Sequence, residues 1–488
     1  MDLPDQLQHI RQSLSGIFPE LFLVVFFLFA LVYELFLHKQ DQPSDTRPAI
    51  PAFHFCGALI WLALLVFQWY AGEREMLFGQ MIRLDDKSIF FRILVAVAWL
   101  VTLFHTRLLG YKFQPEIYAL FASAVLGASL LCMASNLLTL YLSIELISLS
   151  SYLLVSLSPY PKASEGGLKY LLFGGVSSAI MLYGISLIYG LTGSLDISPE
   201  VWDSLSEASP MVLYVTVLLT LGGLLFKLSL IPFHIWTPDT YEAAPTPVVS
   251  FLSAVPKIAV LLVLYRMVAA LPAGVLPILG GIALISMTAG NVGALWQTNA
   301  RRLMGYSTIA QAGYLITGIV AFGNTGFHTA VFYLAAYVLL SMSAFLLIDR
   351  FAPQSDGSFS LFNGRGNQWI AGGVAFTIVM VGLAGFPPTA GFTGKWLIFS
   401  ALWEKYAASG EKWMFALLAG GILNAAVSLA YYMKLPYLLF FKSAAPEPLS
   451  QPAPGYRKSD TFVAVSILIL TIFLFFRPEV LMQVISKL

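Results

Sequence analysis

Five ionisable side chains stand inside otherwise apolar stretches of this sequence. Glu145 lies in LYLSIELISLSSYLL, Lys169 in EGGLKYLLFG, and Lys227 in GGLLFKLSLIPFHIW. Lys257 directly follows Pro256 in SFLSAVPKIAVLLVLY, and Lys395 closes GFPPTAGFTGK. Burial away from water disfavours an ammonium, whereas a nearby carboxylate favours it. A lysine held between these two influences can take up and release a proton. Lys227 lies five residues before Pro232 and Lys395 seven residues after Pro388. Each therefore sits beside a kink, where freed carbonyls and water can solvate an ammonium. Lys169 follows the loop residues Lys162 and Glu165, so it can also snorkel to the headgroups. His234, seven residues after Lys227, would share its helical face if the helix continued, and imidazole suits proton relay.

These groups must be held by membrane-spanning helices. Of the 488 residues, 58% are hydrophobic and only 11% are charged, far below the roughly one quarter usual in soluble domains. Apolar runs of about 20 residues, enough to cross a bilayer, recur along the chain. They predict an all-α polytopic membrane protein with about fourteen transmembrane helices. The first three helices carry little polar punctuation. A net charge of +1 without a basic stripe argues against nucleic acid as a partner. Cys56 and Cys132 are isolated, so neither an iron–sulfur cluster nor a CxxCH haem is expected, and no second histidine near His234 suggests a metal. The polar amino terminus does not look like a cleaved signal peptide. Placing the termini outside leaves thirteen loop Lys and Arg inside, Lys39 and Arg47 among them, against nine outside. That balance favours both termini on the periplasmic side.

Two spans are interrupted. Val212–Ile231 runs into Pro232, Pro238, Pro245 and Pro247, and Ile370–Phe392 contains Gly385, Pro387, Pro388 and Gly391. Broken helices survive at membrane depth only where protein or trapped water satisfies the freed backbone. A pair of them in separate halves points to a transporter built from repeats. A shift of 160 positions lays Gly222, Phe226 and Trp236 on Gly382, Phe386 and Trp396. Ser307, Gln311 and Tyr314 recur at helical spacing, as do Tyr333, Tyr337 and Ser341. Such side chains can line a hydrated proton path, or join helices by hydrogen bonds.

The run KLSLIPFHIWTPDTYEAAPTPVVSFLSAVPKIAV (Lys227–Val260) resembles the signature of the antiporter-like membrane subunits of NADH-quinone oxidoreductase, respiratory complex I. Its wording is similar to the subunit N branch, as are GFPPTAGFTGKW, IELISLSSYLLV and EGGLKYLLFG. The resemblance covers most of the chain. It implies two inverted five-helix repeats, each with one broken helix, at 111–270 and 271–435. An N-terminal three-helix segment (1–110) would precede them, and a loop and C-terminal helix (436–488) would follow.

The resemblance also implies roles. Glu145 and Lys227 would form the ion pair of a first half-channel, modulated by Lys169. His234 and Lys257 would carry the proton across the middle, and Lys395 would end the second half-channel. The expected function is proton pumping in a bacterial inner membrane, driven by NADH-to-quinone electron transfer in other subunits. This chain would hold no cofactor, with FMN and iron–sulfur clusters in partner subunits. Its partners would be sister antiporter-like subunits and small membrane subunits. Three rivals share the features: a subunit of a multisubunit cation/proton antiporter, a scaffold whose buried charges only fix helix packing, and a membrane hydrogenase subunit.

Overall fold

Leucine, isoleucine, phenylalanine and alanine fill the long apolar runs, and in a bilayer each backbone group must be paired within its own segment. Helices result almost throughout. The computed structural model describes residues 10–11, 13–38, 49–158, 160–205, 208–321, 323–443 and 455–488. Lys39 and Arg47, which enter the charge balance above, lie outside the described residues.

Among the described residues, eleven helices are long and apolar enough to cross a membrane. The other three expected spans are helical too, each for its own reason outside that set. The helix Phe18–His38 has an apolar described stretch, Phe18–Val32, that is short of a full crossing. Ala300–Val320 is long enough, but Arg301, Arg302 and Gln311 dilute its apolar character. The third expected span is split into Ile370–Ala384 and Ala390–Ser409.

The chain divides into two units. The first comprises Met1–Lys227 and Ala254–Pro272. Its helices are α1 (Phe18–His38), α2 (Ala49–Ala71), α3 (Asp86–Leu108), α4 (Pro115–Met133), α5 (Leu137–Ser156), α6 (Ala163–Thr192), the short α7 (Pro199–Leu205) and α8 (Pro210–Leu228). Asp85 and Ser88 start α3 with a reciprocal capping box, and the Asn136 side chain caps α5. A small hairpin, β1 (Glu75–Leu77) with β2 (Ile82–Leu84), places Leu77, Ile82 and Leu84 on Ile89 and Met133. Contrary to the apolar reading of the first helices, a buried polar cluster ties four of them together. Arg92 of α3 pairs with Glu20 of α1 at 2.5 Å and donates to Gln68 of α2 at 2.9 Å and Ser129 of α4 at 3.2 Å.

The second unit comprises Leu228–Ser253 and Ala273–Leu488. It holds α9 (Trp236–Ala243), α11 (Leu276–Leu295), α12 (Ala300–Val320), α13 (Asn324–Phe351), the single turn α14 (Arg365–Gln368), α15 (Ile370–Ala384), α16 (Ala390–Ser409), α17 (Lys412–Tyr432), α18 (Lys434–Phe441), α19 (Lys458–Phe476) and α20 (Glu479–Ile485). The long helix α10 (Thr246–Ala270) contributes its first turns here and the remainder to the first unit. Arg302 of α12 pairs with Asp239 at 2.5 Å and Glu242 at 3.0 Å, which fastens α9 to α12. Arg350 of α13 similarly pairs with Asp460 of α19 at 2.5 Å.

Candidate functional site

Both interruptions have the same local build. Helix α8 ends at Leu228, Ser229 takes a left-handed backbone (φ 66°), and three residues further stands Pro232. Helix α15 ends at Ala384, Gly385 is left-handed (φ 87°), and Pro388 stands three residues on. The Ile231–Pro232 and Pro387–Pro388 peptides are cis. The two left-handed residues therefore match at a shift of 156 positions, not the 160 that the side chains suggested. Since α8 stops at Leu228, the chain reaches His234 through a turn, and the face His234 would have shared with Lys227 does not form. His234 is half-buried, and its Nδ1 is buried with no hydrogen-bond partner among the described residues.

Lys227 occupies the last turn of α8 and is only 2% exposed. Its ammonium donates to the Tyr170 hydroxyl at 3.3 Å. The ring centres of Tyr170, Tyr152 and Phe226 lie 5.2, 5.4 and 5.6 Å away, so aromatic faces supply negative potential around the cation. Glu145 of α5 is half-buried and accepts a hydrogen bond from Ser178 of α6. The direct ion pair with Lys227 that the resemblance implies is absent among the described residues. Each partner is instead held by a hydroxyl from α6.

Lys169 precedes Tyr170 on α6, and one helical residue turns a side chain by about 100°. Tyr170 consequently faces Lys227, while Lys169 is 41% exposed and pairs with Glu165 at 2.9 Å. Lys257 is 1% exposed inside α10, directly after Pro256. It belongs to the first unit, with Glu145, Lys169 and Lys227, whereas His234 and Lys395 belong to the second.

Lys395 lies in α16 and is 3% exposed. Its ammonium donates to the Ala384 carbonyl at 2.8 Å and the Leu383 carbonyl at 3.2 Å. These carbonyls end α15, where the helix dipole places partial negative charge. The Tyr314 ring centre lies 4.2 Å from the ammonium. Close approach here depends on glycine. A Cβ on Gly391 would come within 1.9 Å of the Gly382 oxygen, and one on Gly385 within 2.5 Å of Lys395 Cδ. Beside the lysine runs a largely apolar groove of about 630 Å³, lined in part by Phe386, Phe392, Trp396, Trp403 and Glu404.

The polar faces recognised in the sequence make buried hydrogen bonds within the second unit, the largest group centred on Gln311. Gln311 Nε2 donates to the Leu383 carbonyl at 2.8 Å and to Tyr432 at 2.9 Å, and its Oε1 accepts from Tyr333. Ser307 also meets Tyr432, Tyr337 meets Thr308 at 3.4 Å, and Ser341 donates to Ser253 at 3.1 Å. No signal along the sequence marks Tyr432, Tyr152, Tyr170 or Ser178. They lie on different helices from the residues they meet at the site, so no single-helix period reveals them. No cluster of metal-binding residues occurs among the described residues.

Residues 134–423 match the family described as NADH:quinone oxidoreductase/Mrp antiporter, transmembrane. The chain belongs to this family. It is 33% identical to NADH-quinone oxidoreductase subunit N 2 of Chloroherpeton thalassium, across 98% of this chain and 95% of that protein. Among solved structures it resembles a chain of respiratory complex I from Thermus thermophilus. The TM-score is 0.79 at 29% identity, covering 95% of this chain and 98% of that one. It also shares the fold of a chain in the Mrp complex of a Dietzia species, with a TM-score of 0.81 at 19% identity over 97% and 96% of the two chains. Membership in this family, with its many apolar helices, makes the protein a multi-pass membrane subunit.

Proposed function

We propose that this chain is the subunit N of a bacterial NADH-quinone oxidoreductase and that it moves protons across the membrane. The observation that carries the reading is the burial of Lys227, Lys257 and Lys395, each no more than 3% exposed and two of them at a helix break. An ammonium at mid-bilayer costs about 2.5–3.5 kcal/mol on insertion scales. Three such costs in one chain fit residues whose charge is used. Electrons run from NADH to quinone in partner subunits that carry the flavin and iron–sulfur clusters. Sister antiporter-like subunits and small membrane subunits flank this chain in the inner membrane, with both termini on the periplasmic side.

In this mechanism Glu145 senses the energy input and shifts the charge balance at Lys227. Lys227 gives up its proton toward Lys257 and, through the middle of the subunit with His234, toward Lys395. The residues on either side of each break form two repeats of like build, 111–270 and 271–435. Lysine in the path supports H⁺ rather than another cation as the moving ion. Likeness to subunit N over nearly the whole chain favours this reading over a stand-alone cation/proton antiporter.

The test is Lys227→Ala in the assembled complex, with NADH oxidation and vesicle acidification measured together. Abolished or sharply reduced proton movement per NADH is expected. Near-normal pumping would sink the proposal, and a scaffold role would instead show as less complex with unchanged coupling.

A further inference from the structure

A proton leaving Lys395 removes the charge that holds two carbonyls at the end of α15. Backbone donors there are committed elsewhere. The Gly385 N–H reaches back to Val381 and Gly382, and the Phe386 N–H to Val381. Side chains therefore serve the last two carbonyls. Lys395 donates to both, Ser428 approaches Ala384 at 3.5 Å, and Gln311 donates to Leu383 at 2.8 Å. A buried carbonyl left without a donor is costly in a site with little water.

Gln311 is the donor whose state does not change. It carries no titratable group, is 2% exposed, and is fixed at both ends of its amide. Nε2 also reaches Tyr432, and Oε1 takes the Tyr333 hydroxyl. Tyr432 in turn is held by Ser307. This clamp spans α12, α13, α15 and α17.

We propose that Gln311 is a positioning residue for Lys395: it holds the Leu383 carbonyl in place while the lysine is without its proton, so that the reprotonated lysine returns to the same end of α15. The proposal rests on the reading of Lys395 as a proton carrier given above. Gln311 touches no transferred proton. It acts through the shared carbonyl.

The experiment uses membrane vesicles containing the whole complex. Protons moved per NADH oxidised are measured beside the amount of assembled complex, for Lys395→Ala, Gln311→Met, Gln311→Glu and Tyr432→Phe. Lys395→Ala is expected to lower the ratio about twofold or more, since it removes a group acting in the transfer itself. Gln311→Met should lose at least half as much, with the amount of complex retained. Gln311→Glu should fall to the Lys395→Ala level, because its carboxylate stands no more than about 6 Å from the ammonium and holds it charged. Tyr432→Phe frees one side of the amide and should give a smaller fall in the same direction.

A parental ratio in both Gln311 variants, with Lys395→Ala defective, overturns the inference and leaves the role of Lys395 standing. A parental ratio in Lys395→Ala overturns both. Less complex at an unchanged ratio assigns Gln311 a packing role and also overturns the inference. If the Gln311 variants do not assemble, Tyr432→Phe decides, and a parental ratio in that variant overturns it.

Discussion

The Lys395 ammonium donates to the carbonyl of Ala384, 2.8 Å away and eleven positions earlier in the chain. The lysine thus caps the half-helix that ends just before its own helix begins. Its charge is balanced by the carbonyl end of a dipole and by an aromatic face, with no acid among its hydrogen-bond partners within the described residues. Lys227 is held differently, by a hydroxyl and three rings. One break therefore carries its lysine just before the left-handed residue, and the other ten positions after it.

Gly385→Ala should uncouple the second break. The residue has φ 87°, and an added Cβ would stand 2.5 Å from Lys395 Cδ. Left-handed strain costs on the order of 1–3 kcal/mol, and the lysine stem must move besides. The expected outcome is assembled complex with normal NADH oxidation and a lowered proton yield, read by acidification of inverted vesicles. An unchanged yield would show that the position of Lys395 against α15 does not matter.

Tyr170→Phe should weaken the first site without dismantling it. The ring remains beside Lys227, and the hydrogen bond at 3.3 Å to its ammonium is lost, worth about 1.5–3 kcal/mol for a bond to a charged group. Pumping is expected to fall between the parental and Lys227→Ala levels, with the amount of complex intact. A defect as deep as that of Lys227→Ala would mean the hydroxyl itself passes the proton.

Arg92→Met should damage assembly rather than coupling. It strands the buried Glu20 carboxylate, a loss of about 3–5 kcal/mol when one partner of a buried pair is removed. Less complex is expected on a native gel, while the complex that forms pumps with an unchanged proton yield per NADH. The double change Glu20→Gln with Arg92→Met should recover much of the lost material, because no unpaired charge is left. A lowered yield in Arg92→Met would bring the first three helices into the proton path.

The helices, the interruptions and the residue types placed inside apolar runs are legible in the order of the amino acids alone. These follow from hydrophobic length, from proline and glycine, and from the cost of burying charge, all of which act along a few neighbouring residues. That Lys227 and Lys257 are buried could be read in this way, whereas the depth of Lys395, which lies past its break, could not. What each charge meets is set by how the helices pack. Lys227 finds Tyr170 across 57 positions, and Arg92 finds Glu20 across 72. Packing also separates neighbours that look alike in sequence, turning Tyr170 inward and leaving Lys169 half-exposed beside Glu165. The exact register of the two breaks was likewise hidden, because it is set by backbone angles at Ser229 and Gly385 and not by matching side chains. Partners on separate helices are fixed by packing, and packing leaves no period in a single stretch of chain.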